Sequence, residues 1–234
     1  MKKEIKYSLS VYIMFSIELL INIATIWFCE KSFNPKWFSN VIFNKYFNVF
    51  LIIAVIIGII EEFFINERIE KGKAGPSILA IQIPTYVVCC ILMGLPVAAL
   101  DDIMKSNIIL YAFWITFMIF LSTTIWGFVT KRKNYHHPIL SRIFIGSCVI
   151  SVFNVFWGWN WVNIIIDVID LVVVSLFIYL NTIKIKQHAK EDLDDNSSLK
   201  LLSILMDSNA IYMNFMLIWA DITDLMVRAE TDSN

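Results

Sequence analysis

Two apolar stretches toward the end of the chain, Trp161–Ile185 and Lys200–Met226, carry acids and amides where hydrocarbon-compatible residues are the rule. The first holds Asp167, Asp170 and Asn181, and the second holds Asp207, Asn214, Asp221 and Asp224. A carboxylate kept from water binds a proton or a cation, or finds a partner inside the protein, because an isolated buried charge is too costly to hold. An asparagine in the same place can shape and hydrogen-bond but cannot titrate. At about 100° per residue, Asp167 and Asp170 sit one turn apart and Asn181 returns to nearly the same face. Asp207, Asn214 and Asp221 recur at every seventh position, so the second stretch also carries one polar stripe. Two consecutive antiparallel helices can turn such stripes toward each other. The candidate functional residues on these stripes therefore include Asn181, Asn214, Asp207, Asp170 and Asp221.

The elements that position these residues follow from composition. With 58% hydrophobic and 15% aromatic residues and a mean hydropathy of +0.69, the chain is too apolar for a soluble globule. Segments long enough to cross about 30 Å of hydrocarbon are Tyr7–Cys29, Phe43–Phe64, Ser77–Leu100, Asn107–Thr130, Ile139–Trp157, Trp161–Ile185 and Lys200–Met226. The expected fold is all-α: a polytopic membrane protein whose seven transmembrane helices form one domain over residues 1–234, with the lipid bilayer as its partner. The longest polar interval, Lys184–Lys200, leaves no room for a separate soluble domain. Its acids Glu191, Asp192, Asp194 and Asp195 make a solvated loop or a docking point for a partner or a loosely held cation. The basic start Met1–Lys6 imitates a secretory signal, but no small-x-small site precedes Cys29, which makes the first segment an uncleaved helix.

The net charge of −1 conceals sidedness. Of the 19 Lys and Arg residues, 14 fall on the side of the N-terminus; Lys31, Lys36, Lys45, Lys105 and Arg228 fall on the other. Positive charge stays inside, so the N-terminus is expected inside and the C-terminus outside. No basic patch suggests nucleic acid. Pro84, Gly94 and Pro96 bend the third segment, as a packing kink or as a gate. The aromatic turn Phe156–Trp161 suits an outer interface. Cys29, Cys89, Cys90 and Cys148 have no CxxC spacing, so they read as small packing residues rather than zinc ligands or disulfides. No internal repeat is evident.

Chemistry of the enzymatic kind finds little support. There is no nucleotide loop, nucleophile elbow or HExxH pattern. Glu61-Glu62 with Arg68 resembles the EExxxR start of glutamic membrane endopeptidases, but five residues stand between Glu62 and Arg68. His136, His137 and His188 read as loop residues on the inner side, and none follows an FxxxH pattern. No catalytic residue, metal site or cofactor is expected, and the protein reads as not an enzyme.

A family resemblance appears in the fourth segment. Ala112, Phe113, Thr116, Phe120, Leu121, Thr123 and Thr124, followed by Thr130-Lys131-Arg132 and Tyr135, resemble the corresponding pattern of the transmembrane Bax inhibitor family. Val152-Phe153-Asn154-Val155-Phe156, Ser175–Asn181 and Ile211–Phe215 are similar to that family's later motifs, in the same order and over more than half the chain. The resemblance implies a seven-helix fold, a calcium leak tied to pH, stress and protection from cell death, and in some bacterial members a membrane protease as partner. It also implies a departure: aspartates that share protons in the family align with Asn181 and Asn214. Two close carboxylates titrate together, and asparagine removes that behaviour and the charge that draws Ca²⁺. The proton-sensing step is therefore expected to be lost, or moved to Asp207 or to Glu61 and Glu62, unless those glutamates only flank the interface beside Arg68 or Lys71. Asp167, Asp170, Asp221 and Asp224 form an outer acidic vestibule or reach headgroup water. The expected function is a calcium or other cation leak and stress regulator, and the alternative is a non-conducting scaffold that binds a quality-control protease. Asn-, Lys- and Ile-rich usage favours a bacterial plasma membrane.

Overall fold

The computed structural model describes residues 2–42, 76–101, 106–131, 139–140, 142–143, 145–147, 149–150, 160–190 and 197–231. The expected span Phe43–Phe64, with Glu61 and Glu62, lies outside the described residues, as do His136, His137, Cys148 and much of Ile139–Trp157. Six helices are continuous: α1 (Lys2–Ser32), α2 (Pro35–Ile42), α3 (Pro76–Asp101), α4 (Ser106–Val129), α5 (Asn160–His188) and α6 (Ser197–Thr231). Further helical residues occur between 139 and 150, and no strand occurs among the described residues. Five helices are long and apolar enough to cross a membrane, over Ile5–Ser32, Ile78–Ala99, Ile108–Val129, Trp161–His188 and Ser198–Glu230. Helices suit that solvent because each satisfies its own backbone hydrogen bonds.

Local chemistry sets the ends. Asn34 caps α2 by accepting from the Trp37 amide at 3.4 Å, and Pro35 occupies the first helical position, where a missing N–H costs nothing. α5 runs on through Lys184 and Lys186 to His188, so the polar interval after it is shorter than expected. The Lys186 ammonium explains this extension: it donates to the carbonyls of Gly127, Phe128 and Thr130 at 3.2, 2.8 and 2.8 Å. A cation there satisfies carbonyls freed at the C-terminus of α4 and complements its dipole. α6 likewise passes Met226, its last turns supported by the Asp224–Arg228 pair four residues apart.

The chain divides into two compact units, Met1–Met104 with His188–Asn209 and Lys105–Gln187 with Ala210–Asn234. In unit 1, α1 and α3 run parallel: Tyr86 lies beside Glu18, and Gly94 lies further along beside Asn22 and Thr25. The buried stripe of α1 is Tyr7, Val11, Phe15, Glu18, Asn22 and Cys29, and that of α3 is Gln82, Tyr86, Cys90, Val97 and Ala98. Pro84 is on the exposed face of α3, and the helix continues through it. At one end Cys29, Phe38, Ile42, Ala98 and Ala99 pack together; at the other, Ile78 and Leu79 pack on Leu202 and Met206 of α6.

In unit 2 the C-terminal ends of α4 and α5 meet, with the Trp126 and Tyr179 rings 4.8 Å apart. Leu140 packs against Tyr179, Leu180 and Ile183, while Ser147 bonds Asp170, so the helical residues from 139 to 150 run antiparallel to α5. Phe215 of α6 meets Phe113 and Phe120 of α4 edge-on at 5.8 and 5.6 Å. α6 is the enclosed element of each unit. Its most apolar window is 61% buried, against 22% for each other span. The outer faces stay apolar too, as with Leu20, Trp27, Ile81, Met118 and Val129, a distribution that suits lipid rather than water.

Because lipid is as apolar as leucine, packing rather than hydrophobic transfer holds such helices together. Glycine at a crossing is then decisive. A Cβ at Gly127 would stand 2.6 Å from Thr182 Cβ and 3.1 Å from the Tyr179 carbonyl; one at Gly94 would stand 3.1 Å from Thr25 Cβ. Gly127→Ala is expected to cost about 1–3 kcal/mol through overpacking, and Gly94→Ala less, since Thr25 has only tenths of an ångström to yield. Thermal unfolding of both variants in detergent checks the order; equal stability of Gly127→Ala and the native chain would refute the close crossing.

Candidate functional site

Each unit encloses polar side chains among the described residues. In unit 1 the Tyr7 hydroxyl donates to Asp207 Oδ2 at 2.8 Å and lies 2.8 Å from Ser203 Oγ. His188 Nδ1 stands 2.8 Å from the same carboxyl oxygen and 3.3 Å from Ser203 Oγ, with its ring edge-on to Tyr7. Asp207 is 2% exposed, and the His188 side chain 18%. Serine, histidine and aspartate are all present, but both partners meet the same ring nitrogen. A nucleophile relay needs the carboxylate on one nitrogen and the hydroxyl on the other, so this arrangement holds a proton or a charge without activating Ser203. His188 is thus part of a helix-borne cluster rather than a loop residue. Tyr86 donates to the Leu205 carbonyl, tying α3 to the same stretch of α6.

Unit 1 also encloses an acid outside the two polar stripes. Glu18 is 1% exposed, and its carboxyl accepts from Ser208 Oγ at 2.9 Å. The signal that finds it is spacing: Tyr7, Val11, Phe15, Glu18 and Asn22 advance by four or three, so the acid lies in the packed stripe rather than on the lipid face.

In unit 2 the aspartates of α5 and α6 gather. The carboxyls of Asp167 and Asp224 lie beside each other, Ser147 donates to Asp170, and Asp221 lies within electrostatic reach of Asp167, Asp170 and Asp224. Arg228 reaches Asp224 Oδ2 through Nε at 2.8 Å and Nη2 at 2.6 Å. Asp167 Oδ2 and Asp221 Oδ2 are buried with no hydrogen-bond partner. Among the described residues, no group of three or more His, Cys, Asp or Glu is placed to hold a metal ion. Asn181 and Asn214 are both half-buried in unit 2 and are not hydrogen-bonded to each other.

The two expected stripes therefore meet in one part only. Asp170 and Asp221 come together with Asp167 and Asp224, whereas Asp207 is committed to Tyr7 and His188 in unit 1. Seven-residue spacing keeps side chains on one face, but it does not fix which neighbour each position meets.

A bundle of apolar helices with enclosed carboxyl clusters defines a multi-pass membrane protein. The family model described as "Inhibitor of apoptosis-promoting Bax1" matches residues 5–230, and the chain belongs to that family. A search of curated proteins returned no match.

Asp207→Ala would leave the Tyr7 hydroxyl and the His188 imidazole without their shared acceptor, at an expected cost of about 1–3 kcal/mol. Lys6→Ala, at an exposed neighbouring position, serves as the control. Chemical denaturation in mild detergent that found the two variants equally stable would show that the cluster carries no stability.

Proposed function

We propose that the protein passes cations across a membrane, as a calcium leak of the kind its family resemblance implies, along the polar sides of α5 and α6 in unit 2. The observation that carries this reading is the gathering of Asp167, Asp170, Asp221 and Asp224 at one end of that unit, with buried carboxyl oxygens left unpartnered. Such groups are costly inside a membrane and are kept where a cation or proton passes. Asn181 and Asn214 stand in the reading where a proton-sharing aspartate pair would be, so conduction here lacks that sensor. The protein acts in this scheme without catalysis, in a bacterial plasma membrane and in response to stress.

Seven spans with the N-terminus inside and the C-terminus outside complete the proposal. Support comes from the parallel course of α1 and α3: Ile42 packs beside Cys29 and Ala98 at one end of unit 1, and Ile78 packs on Leu202 and Met206 at the other. A reporter active only outside the cell, fused after Asn234, is expected to be active; activity of a cytoplasmic reporter at that position would refute the orientation.

A second reading is favoured by Asn181 and Asn214 themselves. Two amides that cannot titrate and do not bond each other suit a retained fold that serves as a scaffold for another membrane protein, such as a protease. Calcium flux into liposomes at pH 6 and pH 8 separates the two readings. Conduction by the native chain is expected, with pH dependence appearing in the Asn181→Asp, Asn214→Asp variant. A silent native chain beside a conducting aspartate variant would favour the scaffold.

A further inference from the structure

Glu18 stands mid-way along α1 at a position of the buried stripe that an apolar residue would ordinarily fill. Ser208 of α6 donates to Oε1, while Oε2 has no hydrogen-bond partner. The Tyr86 hydroxyl of α3 lies beside the carboxyl. One turn earlier on the same buried face of α3, Gln82 is 6% exposed, and its Oε1 also has no partner. Oxygens of Ser208 and Tyr86 thus meet the Glu18 carboxyl from two other helices, and the Gln82 oxygen is a second buried, unpartnered oxygen of unit 1. No lysine or arginine pairs with Glu18 among the described residues, and the one imidazole of the neighbouring cluster is committed to Asp207.

An enclosed carboxyl group is satisfied in one of two ways. As a neutral acid it must place its O–H on an acceptor, and the hydroxyls beside it are those of Ser208, which donates toward Oε1, and Tyr86, which donates to the Leu205 carbonyl. As a carboxylate it needs a compensating positive charge close by. We infer that Glu18, with Ser208, Gln82 and Tyr86, forms a binding site for one small singly charged cation of the sodium class, inside the membrane-spanning part of unit 1. Charge count sets the class. One uncompensated carboxylate with neutral oxygens matches a single positive charge, whereas calcium is held by about six to eight oxygens and usually several carboxylates. The bound ion draws α1, α3 and α6 onto one point, so it contributes to the stability of unit 1. This inference does not rest on the conduction reading, which concerns the aspartates of unit 2.

Equilibrium binding of radioactive sodium to the purified full chain in mild detergent, against a choline chloride background, tests it. The expected result is saturable binding of about one sodium per chain, displaced by unlabelled sodium. Glu18→Gln should weaken it at least about tenfold, as loss of a charged ligand does, and Ser208→Ala by a smaller factor. Melting temperature in sodium chloride against choline chloride gives an independent readout: the native chain should gain a few degrees and Glu18→Gln none. Should Glu18→Gln fail to fold, Ser208→Ala and Gln82→Met carry the test, since each removes one ligand and keeps the carboxylate. The site is overturned if the native chain binds no sodium saturably, or if the folded variants keep native affinity. Stability that responds to pH and never to sodium also overturns it, because the carboxyl then takes protons alone. Calcium flux can fail while sodium binding persists, so the two proposals fall separately.

Discussion

Hydrocarbon offers no partner to a polar group, and this one constraint shapes every described part of the chain. Hydroxyls that face outward turn back onto their own helix: Ser10, Ser16, Thr85 and Ser122 each donate to the carbonyl four residues earlier. Buried Thr116, Thr182 and Thr223 do the same, while other inward polar groups are met by another helix and tie the two together. Tyr7 reaches Asp207 and Ser203, Ser208 reaches Glu18, Ser147 reaches Asp170, and Lys186 takes over the last carbonyls of α4.

The same constraint redistributes the energetics. In water, burying Phe15 or Ile178 would contribute about 1.5–3 kcal/mol each; in lipid that gain largely vanishes, because both sides of the helix surface are apolar. What remains is close packing and interhelical hydrogen bonds, the latter averaging about 0.6 kcal/mol each in such proteins. Small residues at crossings and enclosed polar clusters therefore carry a share of specificity that side-chain hydrophobicity would carry elsewhere. Enclosed carboxyls are among the groups that tie particular helices together.

The residues on which the family resemblance rests are mostly packing residues. Ala112, Thr116, Phe120 and Thr124 form the buried stripe of α4, and Ile178, Tyr179, Tyr212 and Phe215 are buried as well. A pattern of this kind is legible in sequence because the helical period repeats it, and the family model matches residues 5–230. Glu18 escaped notice because a lone acid in the first apolar run resembles an interruption rather than a site; its position in the stripe becomes apparent only beside α3 and α6. His188 escaped for a related reason, since Lys184 and Lys186 made the end of α5 look like a loop.

The sequence by itself determined that the chain is helical, predominantly apolar, built for a membrane and a member of its family, because these properties follow from composition and from periods of three to four residues. It also placed Asp167 and Asp170 on one face of their helix. Only the tertiary structure decided that Asp224 and Asp221 meet them, that Asp207 belongs instead with Tyr7 and His188, and that Glu18 is enclosed with Ser208. Periodicity fixes the face a residue occupies on its own helix. Which other helix covers that face depends on side-chain shapes and on glycines such as Gly94 and Gly127, which act between residues far apart in the chain.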